Sequence, residues 1–259
     1  QASSTDSYNT AVGSNAGAAV TTGIKNNLIG GLAGDALTVG TRNVALGTQA
    51  LSSDTKGSRS VAVGQGALFT QNFTSATDTY NTAVGYEAGV SITTGVNNTL
   101  IGGSAGDSLT DADFNVAIGR NALSADTLGS TSIAIGHAAL ETQNFTSAAN
   151  IYNVAIGHVA GQSITTGSVN TLIGGLSGDA ITTGIYNVTL GVSTLGANTA
   201  AHKNTAIGSN SMVAFNVTSN TDTFNTAVGY GSAISLTTGV RNTLIGALCG
   251  DNLTTGDLC

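Results

Sequence analysis

The chain has 259 residues, of which 8% are charged, and a formal net charge of −7 from 14 acidic and 7 basic residues. Ordinary soluble domains carry roughly 25% charge. Gly accounts for 36 residues, and Pro and Trp are absent. Collagen is excluded, because it needs Pro and a Gly at every third residue. Intrinsic disorder is disfavoured in a chain so rich in β-branched residues and poor in charge. No apolar run reaches the length of about 18 residues that suggests a membrane-spanning helix. Seven Lys and Arg, read as scattered, form no stripe that would track phosphates, which argues against nucleic acid.

Residues 1–8 resemble residues 74–80, so they read as the tail of a preceding coil or an N-terminal cap. The chain begins at Gln1 without a Met, and the expectation is a mature form or a fragment. Residues 9–259 form a repeat domain. Its marker is Asn-Thr-Ala-Val-Gly at Asn9 and Asn81, which returns slightly varied at Asn153 and intact at Asn225, every 72 residues. Looser copies lie between, ending at Gly30, Gly47 and Gly64 in the first 72-residue set. The motif glycines are spaced 17, 17, 17 and 21 residues apart, and this cycle tiles the domain into 14 coils. A fixed short period is the signature of a solenoid.

Within a short coil, numbered 1 to 17, position 1 is Asn or Ser and position 4 is Val, Ile or Leu. Position 5 is Gly, and position 13 is Thr. The pattern predicts a strand over positions 2 to 4, ended at a Gly corner. It also predicts a second short strand over positions 11 to 13. Frequent Gly and β-branched residues break any helical period. The fold class is therefore all-β: a parallel β-solenoid, or β-roll, of 14 coils. At about 4.8 Å per coil it would be roughly 65 Å long. Identical residues should stack as ladders, with Asn9, Asn81, Asn153 and Asn225 in an Asn column. Thr21, Thr93, Thr165 and Thr237 fall in a Thr column. Both faces of the first strand are small or apolar, so both are expected to be buried. One would line the interior and the other would be covered by a further copy of the chain. A single solenoid with a thick Ala-lined interior is the alternative.

Ser60 to Gly64, Ser132 to Gly136, Asn115 to Gly119 and Asn81 to Gly85 carry a family likeness. They resemble the head repeats of YadA-type trimeric autotransporter adhesins, and similar repeats of phage tail-fibre shafts. The resemblance implies a trimer of parallel β-rolls and adhesion to host-surface, matrix or glycan ligands. The coil here is longer than the usual head repeat, and no coiled-coil stalk, anchor barrel or fibre chaperone domain is visible. The expected function is thus non-enzymatic: an extracellular, cell-surface or virion fibre or head that presents repeated faces. A subunit of a self-assembling end-to-end filament is the alternative. A regular Thr column also admits ice binding, against which stands the Gly that usually occupies position 15. No cofactor, nucleic acid or membrane insertion is expected.

Individual residues add little chemistry. Asp35, Asp107, Asp179 and Asp251 recur every 72 residues. They miss the spacing of calcium β-rolls and read as turn caps. His137, His158 and His202 have no ligand-like spacing to Cys or carboxylates, and no metal or catalytic set stands out. Cys249 and Cys259 form a candidate disulfide that would cap the last coil; free thiols are the other reading. Asn72, Asn144 and Asn216 open glycosylation sequons in the long coils, as do Asn97, Asn187 and Asn252 elsewhere. Phe73, Phe145 and Phe215 lie near those sites, either folded under the loop or exposed as an adhesive row at its tip.

Overall fold

The computed structural model describes residues 6–258. It is a parallel β-solenoid of 14 coils, with no helix among the described residues. The chain divides into two compact units, one of residues 6–130 and 146–148, the other of 131–145 and 149–258. In the first unit the strands are Thr10–Val12, Asn27–Ile29, Val44–Leu46, Val61–Val63, Thr82–Val84, Thr99–Ile101 and Val116–Ile118. In the second they are Ile133–Ile135, Val154–Ile156, Thr171–Ile173, Val188–Leu190, Thr205–Ile207, Thr226–Val228 and Thr243–Ile245. Each strand covers positions 2 to 4 of its coil. Pairing is parallel and in register: Ala11 lies beside Leu28, and Ala155 beside Leu172. Coil positions, once aligned in sequence, are therefore aligned in space within each unit.

The glycine at position 5 is required by stacking. Gly102 has φ of +135°, and a Cβ there would sit 2.6 Å from the carbonyl of Gly119 in the next coil. No L side chain fits that corner.

Position 1 closes the coil. Asn9 Nδ2 donates to the Gly23 carbonyl at 2.8 Å, joining the start of a coil to its end. Its Oδ1 accepts the N–H of Asn26, one coil on, at 2.9 Å. The pattern returns at Asn81 with Gly95 and Asn98, at Asn153 with Gly167 and Asn170, and at Asn225 with Gly239 and Asn242. Asn81, Asn153 and Asn225 are buried, so their bonds to the main chain satisfy backbone groups that have no water.

The core is narrow and keyed. Position 3 points inward and is Ala in most coils, but Leu28, Leu100, Leu172 and Leu244 in the second coil of each set. Each of these leucines needs space opposite, and position 9 supplies it. A Cβ at Gly17 or Gly34 would lie 2.8 Å from a methyl carbon of Leu28. In the third and fourth coils of the first two sets, where position 3 is Ala, position 9 becomes Leu51, Leu68, Leu123 or Leu140, all fully buried. Large and small residues thus alternate between two positions that share one volume.

The third and fourth coils of the first set carry a buried polar knot. Asp54 Oδ1 accepts the N–H groups of Gly57 at 2.9 Å and Phe73 at 3.2 Å, while Oδ2 accepts Gln71 Nε2 at 2.6 Å. Gln71 also donates to Ser60 Oγ and accepts from Asn81 Nδ2. The shorter Ser60 replaces Asn at position 1 here; its Oγ bonds the Thr79 hydroxyl near the end of the same coil, and Gln71 links it to Asp54 and Asn81. In the third set the equivalent residues are Asn198, Phe215 and Asn204. The knot is exchanged as a group for an apolar plug plus the usual Asn.

One expectation needs correction. Positions 11 to 13 form turns rather than a second strand. The Thr at position 13 instead sends its hydroxyl to the carbonyl of the next coil. Thr21 donates to Thr38 at 3.1 Å, Thr93 to Thr110 at 3.2 Å, Thr165 to Thr182 at 3.2 Å and Thr237 to Thr254 at 3.0 Å. Two-residue lateral strands occur elsewhere, Gly57–Ser58 with Thr77–Asp78 and Ala201–His202 with Thr221–Asp222, where a long coil returns. Within the single chain, one face of the main strand lines the interior and the other is open to solvent. Position 3 faces the interior, whereas positions 2 and 4 face outward and stay half-exposed.

Candidate functional surfaces

The outward sheet face carries the first candidate surface. Position 4 presents Val12, Ile29, Leu46, Val63, Val84, Ile101 and Ile118 on the seven strands of the first unit. Leu46 is 44% exposed and Ile29 39%. The second unit repeats the column from Ile135 to Ile245, where Leu190 is 48% exposed. Position 2, mostly Thr or Val, flanks it. The result is an uncharged, β-branched sheet surface facing solvent in the single chain. Contiguous apolar patches of this kind mark interaction surfaces.

The second surface was not anticipated. Position 17, or 21 in a long coil, precedes the Asn and adopts a left-handed backbone at every coil, for example Lys25 (φ 62°), Arg42 (φ 59°) and Tyr80 (φ 52°). Its N–H donates to the carbonyl before the same position one coil back: Lys25 to Ser7, Arg42 to Ile24, Arg59 to Thr41. The left-handed turn sends Asn inward and this residue outward. Five of the chain's seven cations stand here: Lys25, Arg42, Arg59, Lys203 and Arg241. So do Tyr8, Tyr80, Phe114, Tyr152, Tyr186 and Phe224, all exposed. The cations are therefore sorted into one coil position, not scattered.

Two of them are anchored by neighbours. Arg59 pairs with Asp78 at 3.2 Å, bonds the Tyr80 hydroxyl and lies 5.3 Å from that ring's centroid. Lys203, two sets further on, is held in a similar way, with Asp222 at 2.7 Å and the Phe224 ring at 5.2 Å. Among the described residues no carboxylate lies within ion-pairing distance of Lys25 or Arg42. Like charges at one-coil spacing repel by roughly 1 kcal/mol even in water.

The residues singled out from the sequence fall as follows. Asn72 and Asn144 are exposed and Asn216 half-exposed. Asn72 Oδ1 accepts the Thr55 hydroxyl at 3.0 Å, and Asn216 Oδ1 the Thr199 hydroxyl at 3.0 Å, so these Asn stand in the Thr column. Asn187 is fully buried in the Asn ladder, which removes it as a glycosylation acceptor. Phe73 is buried under its loop and Phe145 half-buried. Phe215 is fully buried, as the folded-under alternative expects, but it occupies the coil position of Gln71 rather than that of Phe73. Cys249 is half-buried, and its pairing with Cys259 lies outside the described residues.

Asp35 accepts the Ser52 hydroxyl at 2.6 Å. Burial pushes the carboxyls of Asp107 and Asp179 above the usual carboxylate range. His137 and His158 stack on adjacent coils, ring centroids 5.3 Å apart. His202 accepts the Ile185 N–H at Nδ1, at 3.0 Å, and burial pushes its pKa down. Among the described residues no three His, Cys, Asp or Glu gather as a metal site. Comparison with protein-family models, curated proteins and solved structures gives no match.

Proposed function

We propose that this chain is a structural and adhesive protein without catalytic activity, an extracellular fibre or head segment whose copies associate side by side. One observation carries the reading: an unbroken aliphatic column at position 4, outward on every main strand of each unit and half-exposed in the single chain. A surface of Val, Ile and Leu on a rigid sheet is stabilised when removed from water, at about 25 cal/mol per Å². Identical columns suit a symmetric assembly, because each copy offers the same face. Three copies around a common axis is the arrangement we favour, following the adhesin resemblance. The repeated coils then serve as scaffold, and the residues at the outer corners make contact with the surface to be gripped.

Light scattering on the purified chain tests this. A mass of three chains, independent of concentration, supports the trimer. Open-ended growth with concentration supports the filament instead, and a single-chain mass removes both. Replacing Ile156 by Asp, which puts a charge into the column, should dissociate the assembly.

A further inference from the structure

We propose that the row Tyr8, Lys25, Arg42, Arg59 and Tyr80 binds an extended acidic polysaccharide, a 1,4-linked glycan bearing carboxylate or sulfate groups. The proposal rests on the attachment reading above and names the ligand chemistry of one surface within it. All five residues occupy the same coil position on consecutive coils of the first unit. At about 4.8 Å per coil the row spans about 19 Å.

Three features favour this ligand. The row places cations in the middle and an aromatic ring at each end, a pairing suited to a polymer with both anionic groups and apolar sugar C–H faces. The step from coil to coil is comparable to the length of one sugar in an extended 1,4-linked chain, so successive sugars can meet successive side chains in one repeating geometry. The backbone ladder fixes that step, because each N–H of Lys25, Arg42 and Arg59 is tied to the preceding coil. The ligand has little ordering left to do.

Charge also selects. The chain as a whole is acidic, at −7. It nonetheless sets three cations on neighbouring coils and leaves Lys25 and Arg42 without a carboxylate partner among the described residues. Arg59 is shared with Asp78 and held against Tyr80. Two uncommitted cations suit a polymer with one charge per sugar or per disaccharide. Nucleic acid, with far denser charge, would be repelled by the acidic remainder and is held mainly by many phosphate contacts. At the end of the row Asp6 accepts the Tyr8 hydroxyl at 2.9 Å and so orients that ring's rim.

The test is affinity electrophoresis of the full chain through gels containing sodium alginate, with hydroxyethyl cellulose as the uncharged 1,4-linked control. Alginate should retard the chain, added salt should relieve the retardation, and cellulose should leave it unmoved. The K25Q/R42Q variant, altered only at exposed side chains, should bind about tenfold more weakly for each cation removed. Y80A should weaken binding without changing its salt dependence. Equal retardation of K25Q/R42Q and the parent would overturn the proposal. So would retardation by cellulose as strong as by alginate, or tighter binding of a single-stranded oligothymidylate. A change of solution mass in K25Q/R42Q would overturn it too, since the row would then be covered by a second copy. The two readings fail separately. A monomer that loses alginate binding in K25Q/R42Q keeps the row and loses the assembly, and a trimer indifferent to alginate does the reverse.

Discussion

Leu100→Ala isolates the keyed core. Leu100 is fully buried at position 3 of its coil. Its methyl carbons reach the two glycines opposite: a Cβ at Gly89 would lie 2.7 Å from Cδ1, and one at Gly106 would lie 2.8 Å from Cδ2. Truncation leaves a void bordered by the backbone of both glycines and by the side chains of Leu68, Ile92 and Leu109. The glycine backbone cannot close in, because the N–H of Gly89 is bonded to Ala105 at 3.0 Å and that of Gly106 to Ala122 at 2.9 Å. The loss should therefore fall in the upper part of the Leu→Ala range, about 3–5 kcal/mol. Gly89→Ala alone should also destabilise, by about 1–3 kcal/mol, through the clash with Leu100. Left-handed strain does not forbid it, since Leu68 and Leu123 stand at the same coil position with φ of 52° and 53°. In the double variant the new methyl fills part of the void. The two costs should then fall short of additivity by about 1–2 kcal/mol. Urea denaturation followed by circular dichroism gives these values, provided the m-value is unchanged. Hydrogen exchange in the flanking coils checks that the loss is local, as expected of a stack. A cost under about 1 kcal/mol for Leu100→Ala, or strict additivity, would refute the reasoning.

Other substitutions probe the ladder and the lateral edge. Asn26→Ala deprives the Gly40 carbonyl and the Asn43 N–H of their buried partner. A loss of about 2–4 kcal/mol is expected from two unsatisfied groups, read from the urea midpoint. His202 should make the protein acid-sensitive: its pKa is lower folded than unfolded, so the unfolded chain takes up the proton first. Stability should be full above the ordinary histidine pKa of about 6.5 and fall as pH drops below it. Protonation also turns the Nδ1 that accepts from Ile185 into a donor. Comparing midpoints at pH 8 and pH 5, His202→Asn should lose much of this dependence; an unaltered slope would contradict it.

The stack was legible because identity recurs. Gly at position 5 and Asn at position 1 are set by contacts of each coil with the next copy of itself, so Gly recurs in every coil and Asn in all but the two that carry Ser60 and Ser132. The Thr column was legible as a column but not as a turn, because its order comes from hydroxyls bonded to carbonyls rather than from a strand ladder. Phe215 was misplaced by its nearness to a loop, and counting from Asn204 assigns it to the core position of Gln71. The outer row was missed for a different reason. Its left-handed backbone and outward side chain admit Tyr, Lys, Arg, Phe, Asn, Thr and Val alike, so no residue identity repeats. The signal lay in where the cations fall within the coil. The polar knot of Asp54, Gln71 and Ser60 was equally silent, because its three members are distant in sequence and change together.

Cross-linking tests the contact between copies most directly. Ile156→Cys places a thiol in the outward column, and Thr165→Cys places one in the exposed Thr column of the same coil; both are made with Cys249 and Cys259 replaced by Ser. A disulfide needs two Cα atoms within about 7 Å, so oxidation reports only surfaces that meet. Covalent dimers on a non-reducing gel for Ile156→Cys, and none for Thr165→Cys, are the predicted result. Monomer from Ile156→Cys, or equal coupling at both positions, would contradict it.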